Sequence, residues 1–477
     1  MMLLSILLGL CVAPHATAEI RLPALGDGSS ARISPQQEAE LGRAWLMAFR
    51  RQVRTYEDPQ LQHYLEALLA KLATYSELGP QPLQVVVVDN SSVNAFAVPG
   101  GVIGVHTGLL QLARTEHEFA SVLTHELAHL SQRHFARRLD AQRRSSTLGL
   151  AGLLTGLVLA ATVGGDAGMA AMTASQAAML EESLRYSRQN EQEADRIGID
   201  NLYRAGFDPS GAPDMFERML AATRYTGQRP PEFLLSHPLT ESRVADVRSR
   251  ITKYPQRQYP DNLDYQLLRA RIEVTAAERP ERATRLFRDR VSGAGLDSIA
   301  ARYGLALALS AQGDHQQARQ QLQQLIDEDG DRLPYRMASI ALSRGAGDTA
   351  AAITEARELT AKHPDYYPAQ LELATSLSAA NQFSDAEILL ERLARDRPND
   401  PKIWFELAET SGLAGDIAGV HRARAEYFTL IGVFNRARDH LNYARQLQDQ
   451  DFRQVALIDQ RLRDLDLLEQ QQANMSR

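Results

Sequence analysis

The sequence predicts a mainly α protein with one small β-sheet, arranged as a helical domain followed by a helical solenoid. Three observations carry this. Apolar residues recur at helical spacing through most of the 477 residues. One run of β-branched residues, "PLQVVVVDN", leads into "VNAFAVPGGVIGVHTGLL", whose Pro99-Gly100-Gly101 marks a turn between two further extended segments. Beyond residue 262 the helices fall into a fixed period.

A chain of this length holds about three domains at roughly 100 to 200 residues each. With 44% apolar and 23% charged residues it reads as globular, and 20 Pro and 30 Gly do not point to a disordered or fibrous chain. A net charge of -7 does not suit the concentrated basic surface that phosphate backbones demand, so no nucleic-acid partner is expected.

Residues 1–18 read as a signal peptide: an apolar run from Leu3 to Ala13 precedes Ala16-Thr17-Ala18, a small-x-small pattern, although the first residues lack Lys and Arg. A run of about 11 residues is too short for a hydrocarbon layer of about 30 Å. The only cysteine, Cys11, lies inside it, preceded by Leu10 where a lipid-modification site wants a small residue. The mature chain from Glu19 is therefore expected to be cysteine-free, which excludes a disulfide framework and thiolate ligands.

Residues 19–34 form a leader, and Ser34-Pro35 starts a helix with acid early and base late. A second helix covers about Pro59 to Leu72. A buried strand and a strand-turn-strand unit follow, with Thr107 placed to cap the next helix. Helical spacing then runs from about Glu116 to Arg138. Residues 146–165 carry no charge, and with the Ala/Met-rich stretch to Leu180 they predict a Gly-rich lid or amphipathic flap over about 145–180, resting near the site or making peripheral contact with a membrane surface. A helical hairpin inserted into a membrane is the other reading. Helices return over about 181–205, over about 210–223 and from Thr240, with "GQRPPEFLL" between them read as a loop. The first domain thus spans 35–255, and 256–262 is a linker.

From residue 263 the chain changes character. Gly313-Asp314, Gly347-Asp348, Asn381-Gln382 and Gly415-Asp416 recur every 34 residues, as do Ala318, Ala352 and Ala386. This is the tetratricopeptide period, two helices joined by a tight turn with small residues where they cross. It predicts a tetratricopeptide-repeat α-solenoid over 263–467 and a short tail over 468–477.

The chemistry concentrates in "VLTHELAHL". His125 and His129 are four residues apart, so a helix places both on one face, while Glu126 projects in an adjacent direction. This is the HExxH pattern of zinc hydrolases, in which the glutamate acts as base without ligating; core histidines satisfied by hydrogen bonds are the plainer reading. A catalytic zinc generally wants three protein ligands and an open position. Glu191 and Asp195, in "SRQNEQEADRIG", share a helix face and could supply a ligand and a hydrogen bond to the far nitrogen of His125 or His129. An ordinary solvated helix face fits them equally. Glu193 lies roughly 200° around the helix and is expected to face elsewhere.

The combination of "HELAH", "NEQEAD" some 60 residues on, and the preceding "NAFAVPGG" resembles the gluzincin family of zinc metallopeptidases. The family pattern of HExxH followed by ExxxD falls here on His125, Glu126, His129, Glu191 and Asp195. The resemblance covers essentially the whole mature chain and implies a helical zinc metallopeptidase domain, with Glu191 as third ligand to one Zn2+ per subunit. "LSHPLTESR" also matches, at His237-Pro238 and Arg243. His237 has three readings: a fourth ligand that shuts the open position, a donor to the reacting carbonyl oxygen, or a local helix cap; the resemblance favours the first two. Asn94, Ala95, Phe96 and Ala97 resemble the family's active-site edge strand, on which an extended substrate could pair; a packing hairpin is the alternative. The other histidines carry less weight: His134 lies about 140° off the metal face, and His63, His106 and His117 have no evident partners in the sequence.

The chemistry implied is peptide-bond hydrolysis, with Glu126 as general base. Members of the family that combine a signal peptide with tetratricopeptide repeats imply a periplasmic destination and a role in assembly and quality control of outer-membrane β-barrel proteins. Unfolded or stalled outer-membrane proteins are then the substrates, and the barrel-assembly machinery a partner. The rival expectation is a chaperone or adaptor whose zinc is mainly structural.

Overall fold

The computed structural model describes residues 34–143, 188–226, 231–255 and 257–475. The signal peptide, the leader apart from Ser34, and the flap over 145–180 lie outside the described residues. No helix among the described residues is long and apolar enough to cross a membrane.

Helix α1 (Pro35–Gln52) opens with a reciprocal capping box: the Ser34 hydroxyl accepts from Gln37 N, and the Gln37 side chain accepts from Ser34 N. Helix α2 (Pro59–Thr74) is capped by Asp58, which accepts from the amides of Gln60 and Leu61. Strands β1 (Gln84–Val88), β2 (Ala95–Val98) and β3 (Val102–His106) form one sheet in the order β1-β3-β2. The β2–β3 hairpin is antiparallel, and β1 pairs with β3 in parallel, Val86 opposite Gly104. This leaves β2 at an edge. The turn is made by Gly100 and Gly101, both at φ near +85°, a region that residues with a Cβ avoid.

Thr107 does not cap the following helix α3 (Thr107–Leu112). It is the first helical residue, and its hydroxyl donates to Asn90 O instead. The helix expected over about 116–138 is two helices. Helix α4 (Glu116–Ser131) ends where Arg133 turns to φ 50°, and α5 (His134–Arg143) leaves in a new direction. Neither Gly nor Pro marks this break, which is why helical spacing alone ran through it. Helices α6 (Arg188–Arg204), α7 (Gly211–Thr226), α8 (Glu232–Ser236) and α9 (Glu241–Ile251) complete the domain. Helix α8 occupies part of the segment expected to be loop.

Twelve helices follow among the described residues, from α10 (Leu263–Ala276) to α21 (Phe452–Met475), the last running past its expected end. Gly313, Gly347, Asn381 and Gly415 all adopt positive φ at their shared turn position, so the one non-glycine is the residue type that tolerates that conformation best. Ala318, Ala352 and Ala386 are fully buried where helices cross.

The chain boundary near residue 256 is no packing boundary. Tyr265, Leu268 and Ile272 of α10 belong to the same core as Leu65, Leu69, Val105, Phe119 and Leu123 of the first domain. Tyr265 stacks on Phe119 and donates to Ala113 O at 3.1 Å. Farther along, α2 is held by ion pairs Asp58–Arg271 (2.7 Å) and Glu66–Arg397 (2.6 Å), and His63 packs edge-on against Tyr366 and Tyr367. Part of the solenoid surface is therefore taken up by the protein's own first domain.

Candidate metal centre

Helix α4 is buried from Glu118 to His129, so its histidines and glutamate sit among packed helices rather than on a solvated face. Helix α6 crosses it closely. A Cβ on Gly198 would meet His125 N at 3.1 Å and its Cα at 3.2 Å. Glu191, Asp195 and Gly198 share one face of α6 at helical spacing, so the approach that Gly198 permits also brings both carboxylates to α4.

Four donors converge. His125, His129, Glu191 and His237 each place one ligand atom within 4.8 Å of all the others, and all four residues are buried. His129 Nε2 lies 3.0 Å from His125 Nε2, and His237 Nδ1 lies 3.4 Å from His125 Nε2. Glu191 oxygens lie 3.5 Å from His125 Nε2, 3.5 Å from His129 Nε2 and 3.1 Å from His237 Nδ1. A tetrahedral site with bonds of about 2.0–2.1 Å has edges of roughly 3.3 Å, so these separations fit one zinc-sized ion with nitrogen and oxygen donors.

The surroundings hold the donors in place. Asp195 Oδ1 accepts from His125 Nδ1 at 3.0 Å, which leaves His125 Nε2 to face the cluster. Arg243, buried, donates to both Asp195 oxygens (2.7 and 2.8 Å), lies 2.9 Å from Glu191 Oε2, and donates to the Pro238 carbonyl at 2.8 Å. One guanidinium thus ties both α6 carboxylates to the turn that carries His237. The sequence match at Arg243 had left its role unread; its place as the last residue of "LSHPLTESR" says nothing about burial.

His237 is the C-cap of α8, its N–H donating to Phe233 O, and its side chain also lies inside the cluster, while Thr240 caps α9. His237 Nε2 lies 3.5 Å from Glu126 Oε1. Both Glu126 carboxylate oxygens are buried, beside His237 and the Ala97 backbone. Burial lifts that carboxyl above its ordinary value, against the opposing pull of His237 and His125. Burial pushes His125 down, but Asp195 and Glu191 outweigh it and raise the group to about 9. Burial likewise works against ionised Glu191, yet His237 and His125 hold it well below the usual carboxylate range. His129 is driven well below the usual imidazole value, chiefly by burial.

Two residues set aside by helical projection stand beside the cluster. His134 Nδ1 lies 2.8 Å from His129 Nδ1, and His134 Nε2 lies 3.0 Å from Glu193 Oε2, which Arg137 also meets at 2.9 Å. The projection failed because His134 is not on α4: the turn at Arg133 brings it back toward His129. Glu193 does face away from Glu191, but toward α5 rather than solvent alone. His106 Nδ1 donates to Ser92 Oγ at 2.8 Å, and the Ser92 hydroxyl donates to Glu232 at 3.0 Å, bracing α8 against the sheet.

Ala95, Phe96 and Ala97 lie in edge strand β2, and Asn94 just precedes it, its carbonyl accepting from His106 N. Phe96 turns inward onto Trp45 and Phe49. Ala97 and Pro99 share a cleft with His129, Arg133 and Glu38, so the strand edge borders the donor cluster.

Residues 59–251 match peptidase family M48, and residues 300–331 and 343–407 match tetratricopeptide repeats. The chain is 32% identical to a beta-barrel assembly-enhancing protease of Yersinia pestis, over 88% of this chain and 86% of that protein. Identity is also 32% to the Escherichia coli K12 protein of the same name, over 91% and 89%. A mitochondrial metalloendopeptidase OMA1 of Schizosaccharomyces pombe is 30% identical over 39% of this chain and 51% of that protein. With relatives matched across most of its length and the family's histidine and acidic helices converging on one point, the chain belongs to peptidase family M48.

Proposed function

We propose that the protein is a periplasmic zinc endopeptidase acting in the assembly and quality control of outer-membrane β-barrel proteins. The observation that carries the reading is the convergence of His125, His129 and Glu191 beside the edge strand β2, with buried Glu126 in the same cluster. These three residues would hold one Zn2+. When bound, zinc supplies Lewis-acid polarisation of a water molecule and of the scissile carbonyl. Glu126 takes the proton from that water and returns it to the leaving amine. Its raised affinity for a proton suits that traffic. Asp195 and Arg243 orient the ligand groups, and Asn94 to Ala97 pair with an extended peptide through backbone hydrogen bonds, which orients many sequences without reading them closely.

The substrate class follows from the names of the two bacterial relatives. Stalled or unfolded outer-membrane proteins are the substrates, and the barrel-assembly machinery is a partner. The test is Glu126→Gln, which keeps the zinc and abolishes peptide hydrolysis; loss of zinc in that variant would show that Glu126 has another role.

His237 admits two roles. As a fourth ligand it restrains the enzyme until substrate displaces it, which its Nδ1 position among the donors supports. As a donor it steadies the developing oxyanion. Under the first role His237→Ala raises peptide hydrolysis, under the second it lowers it, and no change would remove both. The same fourth donor also supports a second reading, a chaperone with a mainly structural zinc. Full rescue of a deletion strain by Glu126→Gln would select it.

A further inference from the structure

We propose that His134 and Glu193 are positioning residues for the metal centre, fixing the ring and tautomer of His129 through a carboxylate–imidazole–imidazole relay. The inference rests on the metal-centre reading above. An ionised carboxylate only accepts hydrogen bonds, and Arg137 donates to Glu193 at 2.9 Å, so the 3.0 Å contact from His134 Nε2 must carry the imidazole proton. A neutral His134 then presents a lone pair at Nδ1. That lone pair faces His129 Nδ1 at 2.8 Å, which must donate. With its proton there, His129 keeps the lone pair on Nε2, the nitrogen 3.0 Å from His125 Nε2 and 3.5 Å from Glu191. With both imidazoles neutral, any other assignment sets two protons or two lone pairs against each other somewhere along the relay.

The result parallels the support of His125, whose Nδ1 meets Asp195 at 3.0 Å, with Arg243 behind the carboxylate as Arg137 stands behind Glu193. Helix α6 therefore supplies a ligand at Glu191 and an outer support for each histidine, Glu193 for one and Asp195 for the other. Two geometrical features make the second support: the left-handed backbone at Arg133, and the burial of His134, whose ring is fully shielded from solvent.

The experiment measures zinc affinity of the full chain by competition with a chelator, alongside the ring-nitrogen NMR shifts of His129 in metal-free protein. Supporting groups of this kind typically change metal affinity about 10–100-fold. His134→Phe keeps the ring volume and removes both nitrogens, and Glu193→Leu removes the acceptor. Each is expected to weaken zinc binding at least about tenfold and to replace a single Nδ1–H tautomer of His129 by a mixture. Glu193→Gln, whose amide oxygen still accepts from His134, retains most of the affinity. Should His134→Phe fail to fold, Glu193→Leu, at a partly exposed position, carries the test. Parental protein that binds one zinc, with both variants binding it equally well and the tautomer unchanged, overturns the relay and leaves the metal centre standing. Parental protein that binds no zinc overturns the centre and the relay together.

Discussion

Around His125 the charges of the metal-free protein form a trap for a proton, because Asp195 and Glu191 raise its imidazole to about 9 despite burial. A cation must displace that proton. Zinc binding at pH 7 is therefore expected to release protons, measurable as a buffer-dependent heat, and apparent affinity should climb between pH 6.5 and about 9. The folded-state value lies above the unfolded one, so charged His125 stabilises the metal-free fold fully below about 6.5 and loses that contribution as pH rises through about 9. Affinity independent of pH across that window would contradict the assignment. At this scale spacing alone placed His125 with His129 on one helix face and Glu191 with Asp195 on another; that the two faces meet was implied only by the resemblance to zinc metallopeptidases. The sequence was silent where a turn without Gly or Pro redirects the chain, which is how His134 and Glu193 escaped, and where burial turns Arg243 into a clasp.

At the scale of elements, the crossing of α4 and α6 decides whether the donors meet. Gly198→Ala gains about 1 kcal/mol of helix propensity. It also pushes a methyl against the α4 backbone at 3.1 Å, and overpacking costs about 1–3 kcal/mol. The balance is a loss of about 0–2 kcal/mol, and the displaced α6 carries Glu191 and Asp195 with it. The expected outcome is a thermal midpoint lowered by at most a few degrees and zinc affinity clearly reduced, and unchanged affinity would mean that the crossing is not what sets the site. The sheet's β2–β3 hairpin and the repeat turns were readable from Gly and Asn at fixed offsets, where φ is positive, and from Pro99 ahead of the hairpin turn. Helix α8 was not, since its five residues follow paired prolines and are held by Phe233 N donating to Val93 O at 3.1 Å, a contact no local pattern announces.

For the whole molecule, the repeats and the first domain share a core through α10 and are clamped farther along by Asp58–Arg271 and Glu66–Arg397. Asp58 is nearly buried and also caps α2, so Arg271→Met leaves its charge facing only the capping amides of Gln60 and Leu61. Breaking such a pair costs on the order of 3 kcal/mol, and the loss should appear as a lower thermal midpoint with faster proteolysis in the 256–262 segment. Equal resistance to protease would show that the clamp adds nothing beyond the α10 core. The sequence disclosed the repeat period, but the way the solenoid lies along α1 and α2 depends on contacts more than 200 residues apart, such as Arg271 to Asp58, which no periodicity encodes. The peptidase reading stands or falls on the metal. Zinc content of the purified full chain should be one ion per molecule, retained in Glu126→Gln and lost in Glu191→Ala; a Glu191→Ala protein that keeps its zinc would contradict it.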